Sequence, residues 1–334
     1  MIAPPSHLRR ALLEAAKIGL GVGLLGFLWH KGLIDPVQLV RSVGRHPAWM
    51  ALAIGCQATL FLAQAARWKL VVETNRIGLP LGLSARLTLL SHFFSTCLPG
   101  NGAGDLVKGW IFARRGSDFG TVLGTMVLDR LMGLSGLFVA WSGFLIAAQY
   151  LHPAARGLLL PFLAVALATA GGLLSVVVFA HRLDAWLGRL APPSSALFAK
   201  LLHLGRRIVG PVAKGATSKT MLAKALLLSL ATQIAFLLTA LVAGKILSIP
   251  VDLVSAGAVL PLVSLANALP LSPGGLGVGE TVASTALGEF DMAPDAGAQI
   301  MLVVRMASVF WALVGGLCYL TLRPPEPRES PIEG

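Results

Sequence analysis

The sequence predicts an all-α polytopic membrane protein: about six transmembrane helices plus two re-entrant helical hairpins, arranged as an inverted repeat. Three observations predict it. Of 334 residues, 55% are hydrophobic and only 13% charged, with a mean hydropathy of +0.77, where a soluble domain carries about 25% charged residues. Several apolar stretches reach the roughly 20 residues needed to span about 30 Å of hydrocarbon. Two further apolar regions are broken by glycine and proline, and each ends in the same pattern, G-x-G-x-G-acid.

The first stretch, 11–30, follows Arg9 and Arg10 in the manner of a signal peptide, but no small-x-small cleavage site follows it, so it reads as an uncleaved first helix. Further spans are predicted at 48–72, 118–150, 157–181, 220–248 and 296–322. Region 82–112 is interrupted by Pro99, Gly100, Gly102 and Gly104, and region 252–290 by Pro261, Pro270, Pro273, Gly274, Gly275, Gly277 and Gly279. Proline removes a helical donor and clustered glycine weakens helix. Broken backbone at membrane depth survives only inside protein or against an aqueous cavity. Each region therefore reads as a hairpin with a glycine-rich tip.

Charge sets an orientation. Residues 182–224 hold eight Lys/Arg against one acid, Asp184, which places that basic loop (182–219 and its flank) in the cytoplasm. Residues 249–295 hold five acids and no Lys or Arg, as suits the opposite side. Counting outward puts both termini in the cytoplasm of an inner-membrane protein, although Lys31, Arg41 and Arg45 run against the count. The alternation of Leu, Phe and Trp186 with basic residues over 182–219 fits a helix lying on anionic inner-leaflet lipid or a solvated loop. The tail 323–334 has the composition of a disordered end.

The internal repeat rests on spacing. "GNGAGD" at 100–105 and "GLGVGE" at 275–280 are offset by 175 residues. Asp105 precedes Arg130 by 25 residues, and Glu280 precedes Arg305 by the same 25. The helix at 48–72, shifted by 175, lands on 220–248. One transmembrane domain, 1–322, thus divides into repeat A, about 48–150, and repeat B, about 220–322. Three spans separate their starts, so the repeats are inverted, and matched segments broken by Gly and Pro point to a transporter's central site.

Asp105, Asp129, Arg130, Glu280 and Arg305 fall within or near the apolar layer, where an ionisable side chain costs several kcal/mol (from about 2.5 upward) and turns inward to pair. Adjacent Asp129 and Arg130 diverge by about 100° on a helix and need separate partners. We expect the acids and arginines to surround a polar cavity. There an arginine grips a lipid phosphate with two donors, while Gly100, Gly102, Gly104, Gly275, Gly277 and Gly279 let backbone amides approach the headgroup. The bland alternative is that the pairs only hold the repeats together. Gln57, Gln64, Gln233 and Gln299 read as interhelical hydrogen bonds, His92 as a satisfied histidine, and Trp29, Trp49, Trp68 and Trp110 as interface anchors.

Other chemistry finds little support. Cys56, Cys97 and Cys318 have no metal or redox spacing. H-E-x-x-H, a serine elbow and a Cys/His cluster are missing, and G-x-G-x-G without a βαβ unit is no dinucleotide fingerprint. The net charge of +12 carries no aromatic stacking platform and no nucleic-acid module, so nucleic acid is not expected as a partner.

"LPGNGAGDLVKG" (98–109), "VLDRLMGLSGL" (127–137), "LPLSPGGLGVGE" (269–280) and "RMASVFWALVGGLCYL" (305–320) resemble the transmembrane region of lysylphosphatidylglycerol synthases, the flippase-like domain family. The resemblance covers about residues 10–322 and is most specific in P-G-G-x-G-x-x-E, met by Pro273, Gly274, Gly275, Gly277 and Glu280. It departs where the family's E-R-x-x-D pattern has a second acid, because Gly133 stands there. Asp105 also replaces the usual Glu, and Asn101 or Gly102 stands where a basic residue is common. Family members fused to an aminoacyl-transferase domain make and translocate aminoacylated phospholipids; this chain carries only the membrane half, which implies translocation without synthesis. The expectation is a lipid flippase without enzymatic activity, cofactor or metal. Its partners would be a membrane lipid substrate and anionic headgroups at the cytoplasmic face, and a homo-oligomer is compatible with the sequence. The alternative is a membrane scaffold or accessory subunit of a lipid or glycan-lipid enzyme.

Overall fold

A computed structural model describes residues 30, 36–97, 103–151, 156–189, 196–269, 271–272, 275–293 and 295–321. The predicted first span at 11–30, apart from His30, and the tail 323–334 lie outside the described residues, as do Gly100, Gly102, Pro270, Pro273 and Gly274. The described residues are helical: α1 Pro36–Arg45, α2 Pro47–Thr74, α3 Leu81–Cys97, α4 Ala103–Ala113, α5 Phe119–Leu151, α6 Arg156–Arg189, α7 Ala196–Ala216, α8 Lys219–Leu247, α9 Leu253–Ala268, α10 Val278–Gly288 and α11 Ala296–Thr321.

Four helices, α2, α5, α8 and α11, are long and apolar enough to cross a membrane. α6 makes a fifth span if its two parts, Leu160–Ser175 and Phe179–Arg189, bent by 46°, are taken together. Their outward faces stay apolar, with Leu227, Leu317 and Leu320 well exposed, as lipid-facing helices require. The boundaries follow local chemistry. Pro47 starts α2, where a missing N–H costs nothing. The Asp252 carboxylate accepts the Val254 and Ser255 N–H groups at 3.1 and 2.8 Å and caps α9. Ser248 in the left-handed region ends α8.

The two broken regions are helical hairpins, α3–α4 and α9–α10, whose arms pack together. A shift of 175 residues carries α4 onto α10 end to end. It also carries α3 onto α9 and α5 onto α11 with offsets of a few residues. Packing respects the same relation: α2 lies against α8, its own counterpart, α3 packs on α11, and α9 packs on α5. Such reciprocal pairing is what a two-fold relation between the repeats produces.

Small residues allow these close seams, as expected where dispersion rather than water drives helix association. The central cluster joins Ala53, Ala240, Ala243, Val263, Val303 and Ala307. A Cβ on Gly315 would collide with the Leu89 carbonyl, and one on Gly136 with Ser229.

The described part of the basic segment 182–219 is largely helical, one of the two readings its sequence allowed, and it packs against protein. α6 continues to Arg189, and α7 packs against α5 and α6, burying Val212 and Ala213 beside Leu128 and Met132. Its apolar stripe finds protein to cover it. Arg207 Nη1 meets Asp118 Oδ1 at 2.8 Å, and Arg206 donates to the Leu187 carbonyl at 2.9 Å, so part of the basic charge is spent inside the fold.

Candidate functional site: a polar cavity between the repeats

A cavity of about 420 Å³ lies between the two halves, within the range typical of small-molecule sites. α2 contributes Gln57, Phe61, Gln64 and Arg67; α3 contributes Thr88, Ser91 and His92; Asp105 and Lys108 come from α4. α5 supplies Asp129 and Arg130, α9 supplies Asn267, and α11 supplies Arg305 and Ser308. A wall this rich in charge is unaffordable against lipid but reasonable around water or a polar ligand.

The repeated 25-residue spacing corresponds to two ion pairs. In repeat A, Arg130 Nε donates to Asp105 Oδ2 at 2.6 Å, and its Nη2 contacts the same oxygen. The Ser91 hydroxyl donates to Asp105 Oδ1 at 2.8 Å. In repeat B, Arg305 grips Glu280 with two donors, at 2.6 and 3.1 Å, and reaches the Gly275 carbonyl at 3.2 Å.

The two pairs differ in exposure. Glu280 is fully buried behind Arg305, whereas the Arg130 side chain is 58% exposed. Glu280 therefore sits beneath the cavity wall rather than on it, while Asp105, Arg130 and Arg305 face the space.

Asp129 has a different partner. Its carboxylate accepts Arg67 Nε at 2.8 Å and Nη2 at 3.4 Å, while Arg67 Nη1 donates to Ser229 Oγ at 2.9 Å. This buried pair ties α2, α5 and α8 together. Sequence reasoning required a partner for Asp129 but did not find Arg67. It stands near the end of a span beside Trp68 and Lys69, and its 175-residue counterpart is Val242. The only signal was an arginine inside the apolar window of α2.

Lys108 was missed as well. Its ammonium lies 4.3 Å from the centroid of the Trp68 ring and 3.6 Å from Asp105 Oδ1. Trp68, expected at the interface, is instead fully buried and meets Phe112 edge-on at 5.3 Å. Trp49 and Trp110 are exposed, as anchors require. His92 is satisfied by the Ser308 carbonyl and hydroxyl at 3.1 and 3.0 Å, and stacks obliquely on Phe61 at 4.7 Å. Gln57 donates to the Val304 carbonyl at 2.9 Å across helices. Gln299 donates to Asp295, the residue just before its own helix, at 2.6 Å rather than between helices.

The described glycines serve the hairpins. A Cβ on Gly104 would strike the Ser91 carbonyl, and one on Gly279 would lie 2.5 Å from Asn267 Oδ1. Each therefore lets the two arms of its hairpin touch, and Gly279 also borders the cavity. Gly275 and Gly277 hold φ of +70° and +78°, turning the chain into α10. The backbone at Gly275 is engaged by Arg305 through its carbonyl, so there it works as an acceptor for the protein's own arginine.

The fold and the site together define a polytopic all-α membrane protein with a charged cavity between two related halves. The chain belongs to the family described as the lysylphosphatidylglycerol synthase TM region, whose model matches residues 15–316. It is thus a membrane domain linked to lipid handling. No curated protein and no solved structure gives a significant match.

Proposed function

We propose that the protein is a lipid flippase, moving a polar-headgroup lipid between leaflets while the acyl tails stay in the bilayer. The observation that carries this reading is the 420 Å³ charged cavity, formed by both repeats inside the apolar body. A headgroup crossing the bilayer needs a polar, water-accessible station at mid-depth, because an unsatisfied polar group in hydrocarbon costs several kcal/mol. Cavity-facing arginines supply bidentate donors to a phosphate, and exchange of Arg130 or Arg305 between its own acid and the headgroup gives a bound and an empty state.

The hairpins are the moving parts of this scheme. In transporters of inverted-repeat design, one repeat rocks against the other around a fixed site. With the hairpins re-entrant, α2 and α8 run in opposite directions, and the acid-rich 249–295 segment lies across the membrane from the basic 182–224 segment. This supports cytoplasmic termini and residence in the inner membrane. Translocation rather than catalysis is the proposed activity, with lipid as substrate, anionic headgroups as partners of the basic face, and no cofactor.

The test is reconstitution into liposomes holding tail-labelled lipids, comparing wild type with Arg130→Gln and Arg305→Gln that remain monodisperse. The reading expects protein-dependent lipid crossing that falls about tenfold or more in the variants. Folded variants that move lipid at the wild-type rate would make the arginine pairs structural clasps only.

A further inference from the structure

The cavity's charges do not balance. Among the described residues, four cations face it, Arg67, Lys108, Arg130 and Arg305. Three carboxylates answer them: Asp105 and Asp129 on the wall, and Glu280 beneath it. One positive charge is left over. The glycine-rich tip 98–102 and residues 270, 273 and 274 of the hairpins are uncharged in sequence.

The surplus is localised. Arg305 and Glu280 form a two-donor pair, and Arg67 and Asp129 form another. Asp105 alone is shared, between Arg130 at 2.6 Å and Lys108 at 3.6 Å. The longer contact exceeds hydrogen-bond distance, and the Lys108 ammonium has no hydrogen-bond acceptor among the described residues. Its side chain is only 7% exposed, so water solvates it poorly. The Trp68 face at 4.3 Å steadies the charge but accepts no proton. The buried Thr88 hydroxyl lines the same cavity and has no hydrogen-bond partner among the described residues. An ammonium held only by a long ion pair that it shares with Arg130, and a buried hydroxyl without a partner, both lining a cavity, describe a seat for an anion.

Resting on the flippase reading, we infer that the lipid carried has a singly anionic phosphate headgroup with no compensating amine, and that its phosphate seats on Lys108 and Thr88 beside Arg130. Two phosphate oxygens accept from the ammonium and the hydroxyl, and the remaining negative charge cancels the cavity's surplus. A cationic headgroup meets net repulsion there. A zwitterionic headgroup brings a second cation into a site that already holds one too many.

The experiment is competitive binding to the purified full chain in nanodiscs, using tail-labelled phosphatidylglycerol as probe. Competitors are unlabelled phosphatidylglycerol, phosphatidylcholine, cationic ethylphosphatidylcholine and inorganic phosphate. Phosphatidylglycerol is expected to compete about tenfold better than the other two lipids, the scale of one charge-assisted hydrogen bond. Free phosphate, lacking tails, should compete weakly. Lys108→Gln should lower phosphatidylglycerol affinity about tenfold and be largely rescued by Lys108→Arg.

Equal binding of the three lipids, displacement by free phosphate as effective as by lipid, no binding, or an unaltered Lys108→Gln protein would overturn the inference. Should Lys108→Gln not fold, Thr88→Val carries the test: a several-fold loss for phosphatidylglycerol alone is expected, and no loss refutes the seat. Liposome crossing is read separately with the same lipids. Selective binding without crossing sinks the flippase reading and leaves the anion seat. Crossing without headgroup preference does the reverse.

Discussion

Charged side chains that the bilayer would reject are retained here largely because the protein itself answers them. Arg67 and Asp129 answer each other in the interior between α2 and α5, with Ser229 of α8 completing the arginine's contacts. Removing one partner strands the other charge, which costs about 3–5 kcal/mol. Asp129→Asn or Arg67→Gln should therefore lower the detergent melting temperature sharply. The double change Arg67→Met/Asp129→Leu should recover much of the loss, because two apolar side chains need no partner; a double variant no more stable than the singles would show that this pair contributes more than mutual neutralisation. Part of this layer was legible beforehand: the equal 25-residue spacings pair Asp105 with Arg130 and Glu280 with Arg305. The Arg67–Asp129 contact was not, because it joins residues 62 apart and has no twin to repeat it. Trp68 was misread for a related reason. A tryptophan beside Lys69 near a span end looks interfacial, and only the packing of α4 shows that Lys108 and Phe112 cover it.

At the level of elements, the hairpins depend on residues without side chains. Gly104→Val places a branched side chain against the Ser91 carbonyl, and Gly279→Val places one against Asn267. Each should cost at least about 1–3 kcal/mol of overpacking and open its hairpin, measurable as faster protease cleavage near the tip; tips that stay resistant would show that the arms do not need this contact. The start of α5 is fixed by Asp118, whose carboxylate accepts the Thr121 N–H at 2.9 Å and binds Arg207 of α7 at 2.8 Å. The Thr121 bond, joined by Arg207, holds this carboxyl below its usual pKa. A depressed carboxylate contributes stability that is present above its ordinary pKa and lost as pH falls through the folded value. Asp118→Ala should therefore cost about 1 kcal/mol at neutral pH, and the difference from wild type should close under acid conditions. A gap that persisted when the carboxyl was protonated would point to packing instead of the cap. Hairpin existence could be read from Gly and Pro clusters within apolar runs, and a helix over 182–219 was one of two readings, but the protein surface that covers it could not be read. The burial of Val212 and Ala213 depends on a groove supplied by α5 and α6.

Eight of the described helices, α2–α5 and α8–α11, are two copies of one pattern closed around a charged space. Its symmetry makes a topological prediction. The connection after α2, at residues 75–80, and the connection after α8, at residues 248–252, are equivalent by the 175-residue shift. If the repeats are inverted, single cysteines there should react with impermeant thiol reagents from opposite sides of the membrane; labelling from one side would make the repeats parallel and undo the transport scheme. The fold class and the doubled helical pattern were the most legible part at this scale, since hydropathy marks the long spans and the 175-residue spacing marks the repeat. The imbalance of charge in the cavity was not legible, because it required knowing which cations share which acids. The central claim is that lipid crosses through this cavity, so filling the cavity tests it most directly. Ser264 lines the space from α9, and its hydroxyl donates to the Leu260 carbonyl of its own helix at 3.1 Å. The decisive measurement is the rate at which a tail-labelled anionic lipid crosses proteoliposomes bearing Ser264→Phe against wild type. The account predicts that the filled protein, still folded, falls to the rate of protein-free liposomes; crossing at the wild-type rate would contradict it.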